Sequence, residues 1–279
     1  GQLQFGTGGA LTHNGTISVA SGAILDFASN GLVTQTIGTA ATTIAGTLSI
    51  TGDNFVNFTQ AHTIGGTGTF QQNLGQVTGA NLTLGPALTF SITEGGHSGA
   101  ATTTAQGTTN ISGTGLRLDG GRIFRNEGTL TQTNANVDLN LRNGGTAQAG
   151  NGTVTNAAGG IWNSNATASS SNFILASNQG AGDTGAGAVF TNQGTFNKQG
   201  AAITEVRTAF NNTGAINVQA GQLQFGTGGA LTHNGTVSVG IAAESRHVCH
   251  VLRRVSQDVA GQESGRSRPR DGINQTAPD

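Results

Sequence analysis

The chain has 279 residues, of which 47 are Gly and 12 Phe, with one Trp, one Cys and no Met or Tyr. Charged side chains make up 9% and the net charge is −1, which excludes the electrostatic footprint of a nucleic-acid or anionic-membrane binder. No apolar run approaches the roughly 18 residues of a membrane helix, and the lone Cys249 excludes an intrachain disulfide framework.

Low charge and abundant Gly, Thr and Asn do not make this a disordered chain. Phe, Leu, Ile and Val recur at spaced intervals, so a regular core is available. The opening segment, GQLQFGTGGALTHNGTISV (1–19), returns as GQLQFGTGGALTHNGTVSV at 221–239, differing only in Ile17 against Val237. Self-similarity of this kind marks a tandem array, in which each repeat leans on its neighbours. Gly1 begins inside a repeat, so the isolated chain is expected to present an open strand edge and to self-associate.

In chain order, short strands with period-two alternation follow one another. Leu48-Ser49-Ile50, Leu116-Arg117-Leu118, Ile216-Asn217-Val218 and Leu223-Gln224-Phe225 each place two apolar side chains on one side and a polar one on the other. Val137-Asp138-Leu139-Asn140-Leu141 does so with three and two. Turn phrases separate them: Asn14-Gly15-Thr16, Asn126-Glu127-Gly128-Thr129, Asn192-Gln193-Gly194-Thr195, Asn212-Thr213-Gly214 and Asn234-Gly235-Thr236. Asn and Gly tolerate the positive φ of a tight corner, and Thr favours the strand that follows. The turn glycines are 20 residues apart from Gly46 to Gly66 and from Gly194 to Gly214, and 21 from Gly214 to Gly235. Gly128 to Gly152 is 24, and Gly152 to Gly194 is 42, about two coils.

A coil of about 20 residues with two or three short strands predicts an all-β fold, a parallel β-solenoid over 1–239 with inward Leu, Ile, Val and Phe stacked in columns. An antiparallel sandwich is the rival, but it explains neither the recurrent coil length nor the similarity of the repeats. Residues 240–279 are a non-repeat tail. They carry 11 charges in 40 residues against 14 in 1–239. Val248, Val251, Leu252, Val255 and Val259 predict a short helix over 245–260, followed by disorder; the abrupt change at Val239 reads as a junction or frameshift product.

AVFTNQGTFNKQG (188–200), FNNTGAINVQAGQLQF (210–225) and THNGTVSV (232–239) resemble the β-strand repeats of large bacterial exoproteins, the autotransporter passengers and filamentous-haemagglutinin-like adhesins. The resemblance implies a right-handed β-helix, exported to the extracellular space or the bacterial cell surface and held at the outer membrane by parts outside 1–279. It implies a structural or adhesive rod that presents loops and a polar face to glycans or host surface proteins, beside neighbouring repeats of its own parent chain. No nucleic acid and no membrane insertion by this segment are expected.

Candidate chemistry is sparse. Gly180-Ala181-Gly182-Asp183-Thr184-Gly185 matches G-x-G-x-x-G but lacks the flanking strand and helix of a dinucleotide site, and reads as a loop together with Ser164 to Asn172. The sequons at Asn14, Asn57, Asn81, Asn151, Asn165 and Asn211 follow from turn Asn meeting strand Thr. A pectate-lyase-like enzyme, the alternative function, needs clustered carboxylates and a base. The acids Asp26, Asp53, Glu94, Asp119, Glu127, Asp138, Asp183 and Glu205 are scattered instead. The densest polar patch, Arg117, Asp119, Arg122, Arg125 and Glu127, is expected to be a solvated face. His97 is expected at a surface turn. The pairs Thr67/Thr69, Thr131/Thr133 and Thr153/Thr155 are too irregular for an ice-binding plane, and His247, Cys249 and His250 lack a fourth ligand for a metal. No catalytic residue, cofactor or metal is expected.

Overall fold

The structure is a computed structural model; it describes residues 1–240 except 7, 30, 143–147, 168–169, 181–182 and 227–228. The predicted helix over 245–260 and the rest of the tail lie outside the described residues. Those described form twenty-eight strands and no helix, and every strand pairing is parallel apart from one isolated bridge. Most coils contribute one strand to each of three faces, and about eleven turns stack into a β-solenoid.

Face 1 runs from Gln2–Phe5 through Ile24–Phe27 and Thr47–Ile50 to Thr195–Gln199, Ala215–Val218 and Thr236–Val239. Face 2 runs from Thr12–His13 and Thr34–Ile37 to Asn172–Leu175, Ile203–Val206 and Gln222–Phe225. Face 3 runs from Ile17–Val19 and Ala41–Ile44 to Val189–Asn192, Ala209–Asn212 and Leu231–His233. In the middle of the stack Thr69–Gly79, Thr89–Ser98 and Thr108–Asp119 pass unbroken from face 1 to face 2, which joins those faces into one 18-stranded sheet beside the 10-stranded sheet of face 3. The corner they turn is glycine-dependent: Gly115 has φ 92°, and a Cβ there would lie 1.9 Å from the Asn136 carbonyl oxygen of the next coil.

The alternation read from sequence sets the core. Leu48, Ile50, Leu116, Leu118, Val137 and Ile216 are buried, and inward columns continue across coils. One such column on face 3 is Leu82, Thr103, Phe124, Val154, Phe190, Phe210 and Leu231. Stacking of like on like brings the rings of Phe190 and Phe210 to 4.9 Å, 7° from parallel, while Trp162 meets Phe190 edge-on at 4.9 Å.

Three expectations need correction. First, the Asn of the Asn-x-Gly-Thr phrase does not turn the corner through positive φ. Asn126, Asn192 and Asn212, joined by Asn156, end their face 3 strands with the side chain pointing inward and buried. Each amide donates to the next: Asn126 to Asn156 at 2.8 Å, Asn156 to Asn192 at 2.7 Å and Asn192 to Asn212 at 2.6 Å. The second amide hydrogen of three of them goes to the main-chain oxygens of Ile161, Thr195 and Ala215. Second, the glycine that follows is required by close approach. A Cβ on Gly214 would lie 2.1 Å from the Gly194 oxygen, and one on Gly194 would lie 2.2 Å from the Gly160 oxygen; neither glycine has positive φ. Third, the glycine in register is therefore Gly160 rather than Gly152. The intervals become 32 from Gly128 to Gly160 and 34 from Gly160 to Gly194, two long coils rather than one long and two short. Their extra residues fall mainly at the corner between faces 2 and 3, after Asn136–Asp138 and after Asn172–Leu175.

Candidate functional site

The predicted polar patch is not one solvated surface. Arg117 lies on face 2 and pairs with Glu94 of the preceding coil at 2.9 Å. Arg125 and Glu127 form a partly exposed pair at 2.6 Å on and just beyond face 3. Asp119 and Arg122, between them in sequence, are fully buried. The correction has a simple cause: the chain turns a corner between Asp119 and Ile123, and the side chains there follow the corner inward.

Arg122 belongs to an internal hydrogen-bonded chain that the sequence did not reveal. Its guanidinium donates to the Gly79 and Ala80 carbonyls at 3.0 and 3.3 Å and to Thr103 Oγ1 at 2.9 Å. The Thr103 hydroxyl lies 2.8 Å from His97 Nδ1, and His97 Nε2 lies 3.0 Å from Gln72 Oε1. Gln72 Nε2 in turn donates to the Gly75 and Gly96 carbonyls, both at 3.2 Å. With Arg122 donating to Thr103, the threonine hydroxyl donates to a neutral His97, whose Nε2–H donates onward. His97 is fully buried rather than at a surface turn. Burial, then the Arg122 cation, holds its pKa well below the ordinary 6.5, and burial pushes Arg122 down to about 10. The members sit at inward strand positions or inward corners, and that alternation was the one signal available for them.

A second inward cation is Lys198, which stands in register with Ser164 and Val218 on face 1. Its ammonium donates to the carbonyls of Gln199, Gly200 and Ala220 at 2.5, 2.8 and 3.1 Å, and burial lowers its pKa to about 8. Lys198 is satisfied by main-chain oxygens, and Arg122 by main-chain oxygens together with the Thr103 hydroxyl, so both cap carbonyls at a corner.

On the side away from the core, face 1 carries two columns in unbroken register, in which Asp26 and Ser49 are themselves buried and bonded to each other. Gln4, Asp26, Ser49, Gln71, Ser91, Asn110, Thr131, Asn163, Asn197, Asn217 and Ser238 are in register, one per coil and all polar. The column two residues N-terminal to it holds Thr47, Thr69, Thr89, Thr108, Thr129, Thr195 and Thr236, with Gln2, Ile24, Ile161 and Ala215 completing it. The amides of the upper part are linked, Asn217 to Asn197 and Asn197 to Asn163, each at 2.9 Å. The predicted pairs divide: Thr69 and Thr131 lie in these two columns, while Thr153 and Thr155 lie on face 3.

Among the described residues no three His, Cys, Asp or Glu side chains converge, and no helix is long and apolar enough to cross a membrane. Gly180, Asp183, Thr184 and Gly185 of the G-x-G-x-x-G phrase lie in the segment between Asn172–Leu175 and Val189–Asn192, and a strand rather than a helix follows them. No protein-family model, curated protein or solved structure matches this chain.

Proposed function

We propose that this chain is a structural and adhesive segment of a large secreted or cell-surface bacterial repeat protein, not an enzyme, in which the solenoid is a stiff rod and face 1 is its contact surface. The observation that carries this reading is the polar column of face 1, in register from Gln4 to Ser238 beside a threonine column and open to solvent from Gln71 to Ser238. Strand spacing repeats these hydroxyls and amides at about 4.8 Å along the rod. Such an array hydrogen-bonds an extended, repetitive, uncharged partner, and glycans or the surface proteins of a host cell are of that chemistry. Amide and hydroxyl groups held by a rigid sheet lose little entropy on binding. The buried cations support the reading, because they are consumed inside the rod.

The test is saturable binding of the 279-residue chain to a glycan array and to cultured epithelial cells, compared with a Gln71→Lys/Ser91→Lys/Asn110→Lys variant. Loss of binding in that variant, with retention in a face 3 control (Thr63→Lys/Thr83→Lys), is the expected result. Absence of saturable binding, or equal binding by both variants, sinks it. Release of unsaturated sugars from a polysaccharide would favour the enzyme instead.

A further inference from the structure

We propose that the corner between faces 2 and 3, where the two long coils carry their extra residues, binds a divalent cation of the calcium class through the side-chain oxygens of Asp119, Asn140, Asn151 and Asp183. These residues come from three successive coils. The main chain of Asp119 bridges to that of Asn151, and the Asn140 amide donates to the Asp183 carbonyl at 3.2 Å. Asp119 Oδ1, Asn140 Oδ1, Asn151 Oδ1 and Asp183 Oδ1 all lie beneath the surface with no hydrogen-bond donor. Asp119 and Asn140 are themselves fully buried.

The orientation of Asn140 is fixed. Its Nδ2 donates to the Ser177 carbonyl at 2.8 Å as well as to Asp183, so a flipped amide would turn an acceptor onto two acceptors. Its Oδ1 is thereby left without a donor. Asp119 is held in a similar way, its Oδ2 accepting from the Gln148 N–H at 2.8 Å while Oδ1 has none. A buried acceptor without a donor costs roughly 1–3 kcal/mol, and a native fold seldom gathers several of them in one place. Donor-free oxygens are what a hard cation requires. Arg142, whose charge acts on Asp119, stacks over the Phe55 ring at 5.1 Å, and its Nε has no partner. Burial is the main reason the pKa of Asp119 is raised, and the Asp183 charge adds to it against the opposing Gln148 and Gly120 N–H groups and the Arg142 charge.

The donor set selects the ion. It is all oxygen, without thiolate or imidazole, and two amide oxygens soften the geometry. This suits calcium, which takes 6–8 oxygens flexibly, better than magnesium, which keeps a strict octahedron and most of its water. The inserted residues then have a purpose: they bring Asn151 and Asp183 to a corner that an ordinary 20-residue coil would leave as a bare turn.

The experiment is calorimetric titration of calcium chloride into the full 279-residue chain, freed of metal with EGTA, together with thermal melts. One calcium per chain is expected, at the submillimolar to millimolar affinity of extracellular modules, with a rise in Tm. Asp183→Asn and, separately, Asn151→Ala should each weaken binding about tenfold while circular dichroism stays unchanged. Asp53→Asn, on an exposed turn, should bind as the parent does. No saturable uptake, uptake untouched by both variants, or magnesium binding as tightly as calcium would overturn the proposal. So would a crystal structure with Arg142 ion-paired to Asp119 or Asp183 in calcium-containing solution.

Discussion

His13 and His233 hold the same place in two 19-residue segments of near-identical sequence, yet they lie on different faces of the prism. His13 is in register with Ile37 on face 2, and its Nε2 is buried without a partner. His233 lies on face 3, where its Nδ1 is 2.9 Å from the Asn212 amide and closes the asparagine column. The whole segment is displaced with it: QLQF is on face 1 at Gln2–Phe5 and on face 2 at Gln222–Phe225. The first copy docks by its upper edge and the second by its lower edge, so the neighbouring coil, and not the segment itself, selects the face.

Cysteine pairs test this displacement. With Cys249→Ser in the background, Ser18→Cys/Thr43→Cys and Asn217→Cys/Ser238→Cys should both oxidise readily, because each pair is in register across a parallel ladder, on face 3 and face 1 respectively. Parallel neighbours stand about 4.8 Å apart, within the range a disulfide spans. If Ser18 took the face of its equivalent Ser238, the first pair would stay reduced.

Removal of one amide from the inner column should be far more damaging than removal of one from the outer column. Asn192→Ala deprives Asn156 of an acceptor and Asn212 of a donor in the interior. A loss of about 3 kcal/mol is expected, from roughly 1–3 for each orphaned group. Asn197→Ala, whose partners are half-buried on face 1, should cost about 1 kcal/mol or less. Urea titration of both variants decides; equal midpoints would mean that the inner column is dispensable.

Gly214 and Gly65 make a matched pair. Alanine at 214 drives its Cβ to 2.1 Å from the Gly194 oxygen, whereas alanine at 65 meets nothing within 4 Å. Gly214→Ala should lower stability by about 2 kcal/mol, as overpacking against backbone does. Gly65→Ala should be neutral or stabilise by about 0.5 kcal/mol through the unfolded chain. Thermal melts give the comparison.

Stability should rise with pH in two windows. The folded state holds His97, and less strongly His62, below the ordinary 6.5 by burial. Below that pH the unfolded chain takes up protons that the folded one refuses, so stability falls as the solution is acidified. Lys198, at about 8 when folded against 10.5 when free, is protonated more in the unfolded chain between those values. Stability therefore climbs as pH rises from about 8 to about 10.5, and Arg122, held to about 10, extends the climb upward. Lys198→Met should flatten the alkaline climb and His97→Gln part of the acid fall, with the urea midpoint as the measure.

The coil was legible in the sequence because period-two alternation and a 20-residue interval are local properties; Leu116, Leu118 and Val137 face inward as their neighbours dictate. The asparagine column was present in the same alternation. Phe124-x-Asn126, Val154-x-Asn156, Phe190-x-Asn192 and Phe210-x-Asn212 each put Asn on the side of the apolar residue, but a turn explanation for Asn-x-Gly took precedence. The placement of Arg122 and His97 depends on which corner cuts inward, and that is fixed by partners 19 and 25 residues away. The corner of Asp119 and Asp183 was hidden for a similar reason: residues 64 apart in sequence become neighbours only when two coils lengthen at one corner.

The hydrogen bonds that join one coil to the next run along the rod. A pull on the ends of the solenoid therefore passes through every interface in series, and an outermost turn, held by one neighbour only, is the first to peel. A released 20-residue coil pays out about 70 Å of chain, from roughly 3.3–3.6 Å per residue, in exchange for about 4.8 Å of rod. Under tension such a body lengthens in steps and absorbs work at each one, a shock absorber made of many small latches.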